Sequence, residues 1–172
     1  KHLKESKDRL EELFSTKVTG LRMPRMMPVS KNAVENAGYS YNSSINPTFI
    51  PGRYNNLKVS RTYFTEGKVT QIPASVSPNF RIPLFWLSFH NFPLSFYKKL
   101  TSDTLKKDNY LNIYFHPWEF AEIKDEAFKL PGFTVKNSGK DMVERFDKFI
   151  SWLKSKNYTF GTFQEFQKQI ES

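Results

Sequence analysis

The sequence predicts an α/β fold. Three observations carry that prediction: helix-periodic segments alternate with short strand-like ones, glycines and capping residues mark the boundaries, and one long apolar run ends abruptly on His116-Pro117. At 172 residues the chain is long enough for one domain with a sizeable core, and it reads as a single unit over 1–172.

Leu3, Leu10, Leu13 and Phe14 stripe one side of an opening helix that ends near Thr16. A short strand, Val18-Thr19-Gly20-Leu21, delivers Arg22-Met23-Pro24 to a loop. Ser30 is placed to cap a short helix carrying Ala33, Val34 and Ala37, Gly38 to end it, and Tyr39-Ser40-Tyr41 to follow as a strand. From about 45 to 93 six prolines break the pattern, which reads as an irregular insertion of the kind that forms a lid or binding wall. Inside it, Thr62-Tyr63-Phe64 and Val69-Thr70-Gln71-Ile72 flank Glu66-Gly67 as a hairpin. A helix over Leu94 to Leu105 comes next. Ser138-Gly139-Lys140-Asp141 resembles a capping box opening a helix with Met142, Val143, Phe146, Phe149, Ile150 and Leu153 at helical spacing. Tyr158-Thr159-Phe160 reads as a last strand, and Thr162 caps a closing helix with Phe163, Phe166 and Ile170.

The segment Tyr110-Leu111-Asn112-Ile113-Tyr114-Phe115-His116-Pro117-Trp118-Glu119 is the most informative. It reads as a buried strand that stops at one histidine, with proline holding His116 in an extended backbone and projecting it into a loop. Strand ends are where parallel α/β proteins keep their chemistry. Trp118 and Glu119 add an aromatic face and a carboxylate nearby in sequence, a combination suited to acid/base work on a polar substrate.

With 26 Lys+Arg against 17 Asp+Glu, the formal charge is +9. The basic residues are scattered rather than run together, and no nucleic-acid recognition motif is present, so a solvated basic face is the reading and no nucleic-acid partner is expected. The absence of cysteine removes disulfides, thiolate metal sites and a cysteine nucleophile, and leaves the compartment open. No apolar run reaches membrane-spanning length. The first residue is lysine within a charged helix that lacks a visible cap, which points to a piece of something longer.

An ordered set of motifs carries a resemblance: Gly20-Leu21-Arg22-Met23-Pro24, Gly38-Tyr39-Ser40-Tyr41-Asn42-Ser43-Ser44, Ile72-Pro73-Ala74-Ser75, Phe115-His116-Pro117-Trp118-Glu119 and Tyr158-Thr159-Phe160-Gly161-Thr162. From about Leu3 to about Phe166 the chain resembles the C-terminal half of a polysaccharide deacetylase of the NodB-homology type, carbohydrate esterase family four. The resemblance implies part of a distorted, incomplete (β/α) barrel, and hydrolysis of acetyl groups from a glycan substrate. Carried over by position, His116 matches the histidine that protonates the leaving group, Arg22 the arginine that orients the catalytic base, and Pro24 the proline that shapes the same loop. Trp118 and Glu119 match an extended form of the histidine motif found in one branch. Asn42 stands where many relatives carry an aspartate. Family membership also implies a divalent metal, zinc or similar, held by an aspartate pair and a histidine pair. Neither pair precedes Arg22, and His2, His90 and His116 are the only histidines, so no metal site is expected in this chain. The resemblance further suggests a missing N-terminal portion or a second copy as partner, and a cell-envelope or extracytoplasmic setting.

His90, within Trp86-Leu87-Ser88-Phe89-His90-Asn91-Phe92, reads as a packed or loop-exposed histidine, and His2 as solvent-exposed. Trp86, Phe89 and Phe92 suit either a sugar-stacking platform or a core cluster. Two function classes remain open: the acid-bearing half of a deacetylase, and a non-catalytic carbohydrate-binding or structural remnant of that fold.

Overall fold

A computed structural model describes residues 2–124 and 129–171. They divide into two compact units, one within 2–74 and 161–171 and the other within 75–160. Together they form a mixed α/β chain.

The first unit holds an open four-stranded sheet, formed by Gly20–Leu21 (β1), Tyr41–Asn42 (β2), Phe64–Glu66 (β5) and Val69–Gln71 (β6), and a separate two-stranded pair, Phe49–Ile50 (β3) and Tyr54–Asn55 (β4).

 The order across the four-stranded sheet is β1-β2-β6-β5. β1, β2 and β6 run parallel, with Gly20 opposite Tyr41 and Asn42 opposite Gln71, while β5 returns antiparallel to β6 with Thr65 opposite Thr70. The sheet is open, and the described strands close no barrel. The hairpin expected around Glu66-Gly67 is present, and Gly67 takes the left-handed conformation its tight turn requires (φ 65°). β6 lies between β2 and β5 with Val69, Thr70 and Gln71 all buried, so the 45–93 stretch supplies an interior strand of the sheet.

Helix α1 (His2–Phe14) and α2 (Lys31–Asn36) accompany this sheet. Val34, Ala37, Tyr39 and Val69 make the core here, with Leu3, Val18, Leu21 and Val29 packed against it. The apolar stripe of α1 is only partly used: Leu3 reaches this core, whereas Leu13 and Phe14 are 59% and 69% exposed. Gly38, at φ 78°, ends the α2 segment as anticipated, although Ser30 precedes the helix without a side-chain cap bond. The closing helix, Phe163–Glu171, is capped by Thr162 as the sequence predicts, and Glu165 completes a box: Glu165 N–H donates to Thr162 Oγ1 at 3.2 Å and Thr162 N–H to Glu165 Oε2 at 2.6 Å. The Thr162 backbone N–H and hydroxyl, both donating to Glu165 Oε2, hold that carboxyl below its ordinary range.

The second unit is built from helices. They are Trp86–Asn91 (α3), Leu94–Asp108 (α4), the short Gly132–Val135 (α5) and Lys140–Ser155 (α6), with a 3₁₀ turn over Pro117–Phe120. Leu84, Phe89, Tyr97, Leu100, Leu105, Met142, Phe149 and Leu153 form its core. Phe89 sits at the centre, edge-on to Tyr97 and Phe115 at ring-centroid distances of 5.0 and 5.1 Å. The Arg145 guanidinium lies 5.0 Å above the Phe89 ring and donates to the carbonyls of Phe89 and Phe92, satisfying the end of α3.

Three local expectations fail in this unit. Tyr110 to His116 forms no strand; Ser75 meets it with its N–H, which donates to Asn112 O at 2.8 Å, and with its hydroxyl, which accepts from Asn112 N–H at 2.9 Å. Tyr158 to Phe160 is likewise loop. The helix at 140 has Gly139, at φ 66°, in the capping position in place of Ser138, and a distant carboxylate takes over the cap: Glu122 Oε1 accepts from Lys140 N–H at 2.8 Å. Asp141, the intended third member of the box, instead pairs with Lys124, which holds its carboxyl below the usual range.

The phenol of Tyr97 is buried without a hydrogen-bond partner among the described residues, and burial raises its pKa. An unmet buried hydroxyl costs about 1–3 kcal/mol. Tyr97→Phe is therefore expected to stabilise the protein by about 1 kcal/mol, read as a higher urea midpoint at unchanged slope.

Candidate active site

The turn after Phe115 builds the site. His116 has the extended backbone expected before proline (φ −125°, ψ 148°), and Pro117 opens the 3₁₀ turn, where its missing N–H is no loss. The turn closes with Glu119 N–H donating to His116 O at 3.1 Å, which folds the Glu119 side chain back onto His116. There Glu119 Oε1 accepts the His116 backbone N–H at 2.7 Å and lies 2.6 Å from His116 Nδ1. Its other oxygen, Oε2, lies 3.1 Å from Nε2 of His90, delivered by α3. His90 Nδ1 in turn contacts the carbonyl of Lys136 at 2.5 Å. The row is thus His116, Glu119, His90, Lys136 carbonyl.

Burial grades along this row. The side chains of His90 and Glu119 are 0% exposed, whereas that of His116 is 40% exposed. With Nδ1 occupied by Glu119, His116 Nε2 has no hydrogen-bond partner among the described residues, so it is the atom available to a substrate. Aromatic rings wall the imidazole. Trp118 stacks on it at 5.6 Å, while Trp86 and Tyr114 meet it edge-on at 5.7 and 5.9 Å. Trp86 also meets Trp118 at 5.2 Å and His90 at 5.9 Å. A half-open imidazole braced by a buried carboxyl and flanked by two indoles can hold or deliver a proton beside an apolar face.

The structure brings together His116, Glu119, Trp118 and Trp86 from the sequence-derived set. Of the proposed platform of Trp86, Phe89 and Phe92, only Trp86 lines the site. Phe89 is fully buried at the core and Phe92 packs against it. Arg22 and Pro24 belong to the first unit. Arg22 Nη2 donates to Ser43 Oγ at 2.7 Å and its guanidinium lies over the Phe163 ring at 5.6 Å, while Pro24 opens a 3₁₀ turn over Pro24–Met26. Asn42 is a buried amide there, donating to Gln71 Oε1 at 2.8 Å and accepting from Ser44 Oγ at 2.5 Å. The carboxyl partner of His116 is Glu119, three residues away in its own turn.

His90 is packed, one of the two readings the sequence left open, and its contact with Glu119 is what sequence reasoning missed. Its signal was present: Trp86 and His90 stand four apart, hence on one face of α3, and that face carries both to the site. Among the described residues no three His, Asp or Glu side chains are arranged to hold a metal ion. Both Glu119 oxygens already face imidazoles, so the divalent metal implied by the family resemblance does not fit the groups gathered here.

No family model matches the chain, and neither a curated protein nor a solved structure matches it. No helix among the described residues is long and apolar enough to cross a membrane.

Removing Glu119 should be far more damaging than removing its exposed neighbour. Glu119→Ala leaves two imidazoles and a backbone N–H facing a void and is expected to cost about 3–5 kcal/mol. Trp118→Ala, at a ring 36% exposed, is expected to cost about 1 kcal/mol. Urea denaturation of the two variants checks the ranking.

Proposed function

We propose that this chain carries the proton-donating half of a glycan deacetylase, a hydrolase that removes acetyl groups from sugars. His116 is its general acid, and Trp86 and Trp118 form the wall against which the sugar lies. The observation that carries this reading is the His116–Glu119 contact: Nδ1 is engaged by a buried carboxyl while Nε2 remains open beside two indoles. The ordered motifs that resemble the NodB-homology family support it, and with it an incomplete (β/α) barrel as the parent architecture.

In amide or ester hydrolysis, water adds to the acetyl carbon and the tetrahedral intermediate collapses by breaking the bond to the sugar nitrogen or oxygen. That leaving atom needs a proton as the bond breaks. His116 Nε2–H supplies it, and Glu119 keeps the ring oriented while Nδ1–H stays bonded to Oε1. In this proposal the groups that activate water lie outside the described residues.

The test is acetate release from an acetylated oligosaccharide by the protein that contains this chain, comparing wild type with His116→Ala. Expected is a fall in kcat of about 10²–10⁴-fold with little change in KM, and an unchanged circular dichroism spectrum. Near-native turnover, or a loss explained by unfolding, removes His116 as the acid. Absence of acetate release by the wild type, with sugar binding retained, would leave the non-catalytic carbohydrate-binding reading.

A further inference from the structure

We infer that His90 and Glu119 share a single buried proton, and that His90 is a positioning residue that fixes the carboxyl group in the orientation His116 requires. The shared proton stands whatever reaction His116 serves; the positioning role deepens the acid assignment.

Hydrogen-bond counting leads there. The Lys136 carbonyl can only accept, so the 2.5 Å contact to His90 Nδ1 requires a proton on that nitrogen. A neutral imidazole with its proton on Nδ1 presents a bare lone pair at Nε2. That lone pair lies 3.1 Å from Glu119 Oε2, and an ionised carboxylate also presents only lone pairs. Both side chains are fully buried, so two facing acceptors would repel without relief from solvent. A proton between them removes the conflict, either as imidazolium on carboxylate or as carboxylic acid donating to neutral imidazole. In both forms the pair is neutral overall, which avoids burying an isolated charge.

The opposite oxygen explains the direction of the bracing. Oε1 accepts the His116 backbone N–H at 2.7 Å and faces Nδ1 at 2.6 Å, so it is the accepting end of the carboxyl group. With the shared proton at Oε2, Oε1 draws the His116 proton to Nδ1. The surroundings hold His90 in place: Asn137 Nδ2–H donates to its carbonyl at 2.6 Å, and Trp86 abuts its ring edge-on. Arg145, a cation of α6 that reaches the end of α3, is directed to the Phe89 and Phe92 carbonyls.

The test is nitrogen-15 NMR of the histidine side chains in the full chain at neutral pH, which distinguishes protonated from bare ring nitrogens without any substrate. Expected for wild type is a His90 whose Nδ1 carries a proton, together with either a protonated Nε2 or an Nε2 bonded to a Glu119 acid proton. A bare Nδ1 on His90, or a bare Nε2 with Glu119 ionised, overturns the shared proton. Glu119→Gln offers the same arrangement without titration, its amide N–H toward His90 and its carbonyl toward His116. It should leave His90 neutral with the proton on Nδ1; a His90 protonated on Nε2 alone contradicts the count. For the positioning role, His90→Phe should abolish the preference of His116 for the Nδ1–H tautomer, and His90→Gln, which can donate to Oε2, should restore it. An unchanged His116 spectrum in His90→Phe, or no restoration by His90→Gln, refutes that role. Should His90→Phe not fold, His90→Leu, which likewise cannot donate to Oε2, takes its place with the same two outcomes. Because none of these readings uses acetate release, they can fail or succeed independently of the deacetylase reading.

Discussion

The buried carboxyl group of Glu119 is the constraint around which the second unit is arranged. A carboxyl at 0% exposure is tolerated only when both oxygens are satisfied, and here three groups from two segments converge to do so. The requirement fixes the Pro117–Phe120 turn against α3. It also reaches α6, since the Glu119 carbonyl accepts from Gly139 N–H at 3.0 Å just where that helix begins. The aromatic core beneath, centred on Phe89, gives α3 the rigid seat from which His90 can meet the carboxyl group.

That arrangement gives His116 two unlike sides. One nitrogen is tied to a buried acid and the other is open between indoles, so orientation is set by the interior while access is left to the surface. Proton transfer depends on such asymmetry, because a ring free to rotate would place its proton at random. In the first unit a different economy of polar groups prevails. Asn42, Ser44 and Gln71, at and just beyond the ends of parallel strands, satisfy one another in a buried chain of neutral amides and a hydroxyl that extends to Glu66.

How much of this was legible in the sequence depended on the range of the interaction. The hairpin at Glu66-Gly67 and the Thr162 cap are local, and both could be read from a few residues. The turn at His116-Pro117-Trp118-Glu119 was legible for the same reason, since proline restricts the histidine and the carboxyl group returns within one turn. What failed required partners far along the chain. The run to His116 has the composition of a strand, but Ser75 offers it a hydroxyl where a ladder would continue. Ser138 lost its cap because Glu122 reaches Lys140 from another segment. His90 looked like one more residue in an aromatic stretch because its partner lies 29 positions away.

The central claim is that Glu119 couples two histidines into one unit, and a double-mutant cycle between His90 and His116 tests it most directly. Urea stabilities of His90→Phe, His116→Phe and the double variant give the interaction between two rings that are linked through the carboxyl group. The account predicts non-additivity of about 1 kcal/mol, since either single change already deprives Glu119 of part of its support. Costs that add within about 0.3 kcal/mol would contradict it and leave two independent histidines beside a buried acid.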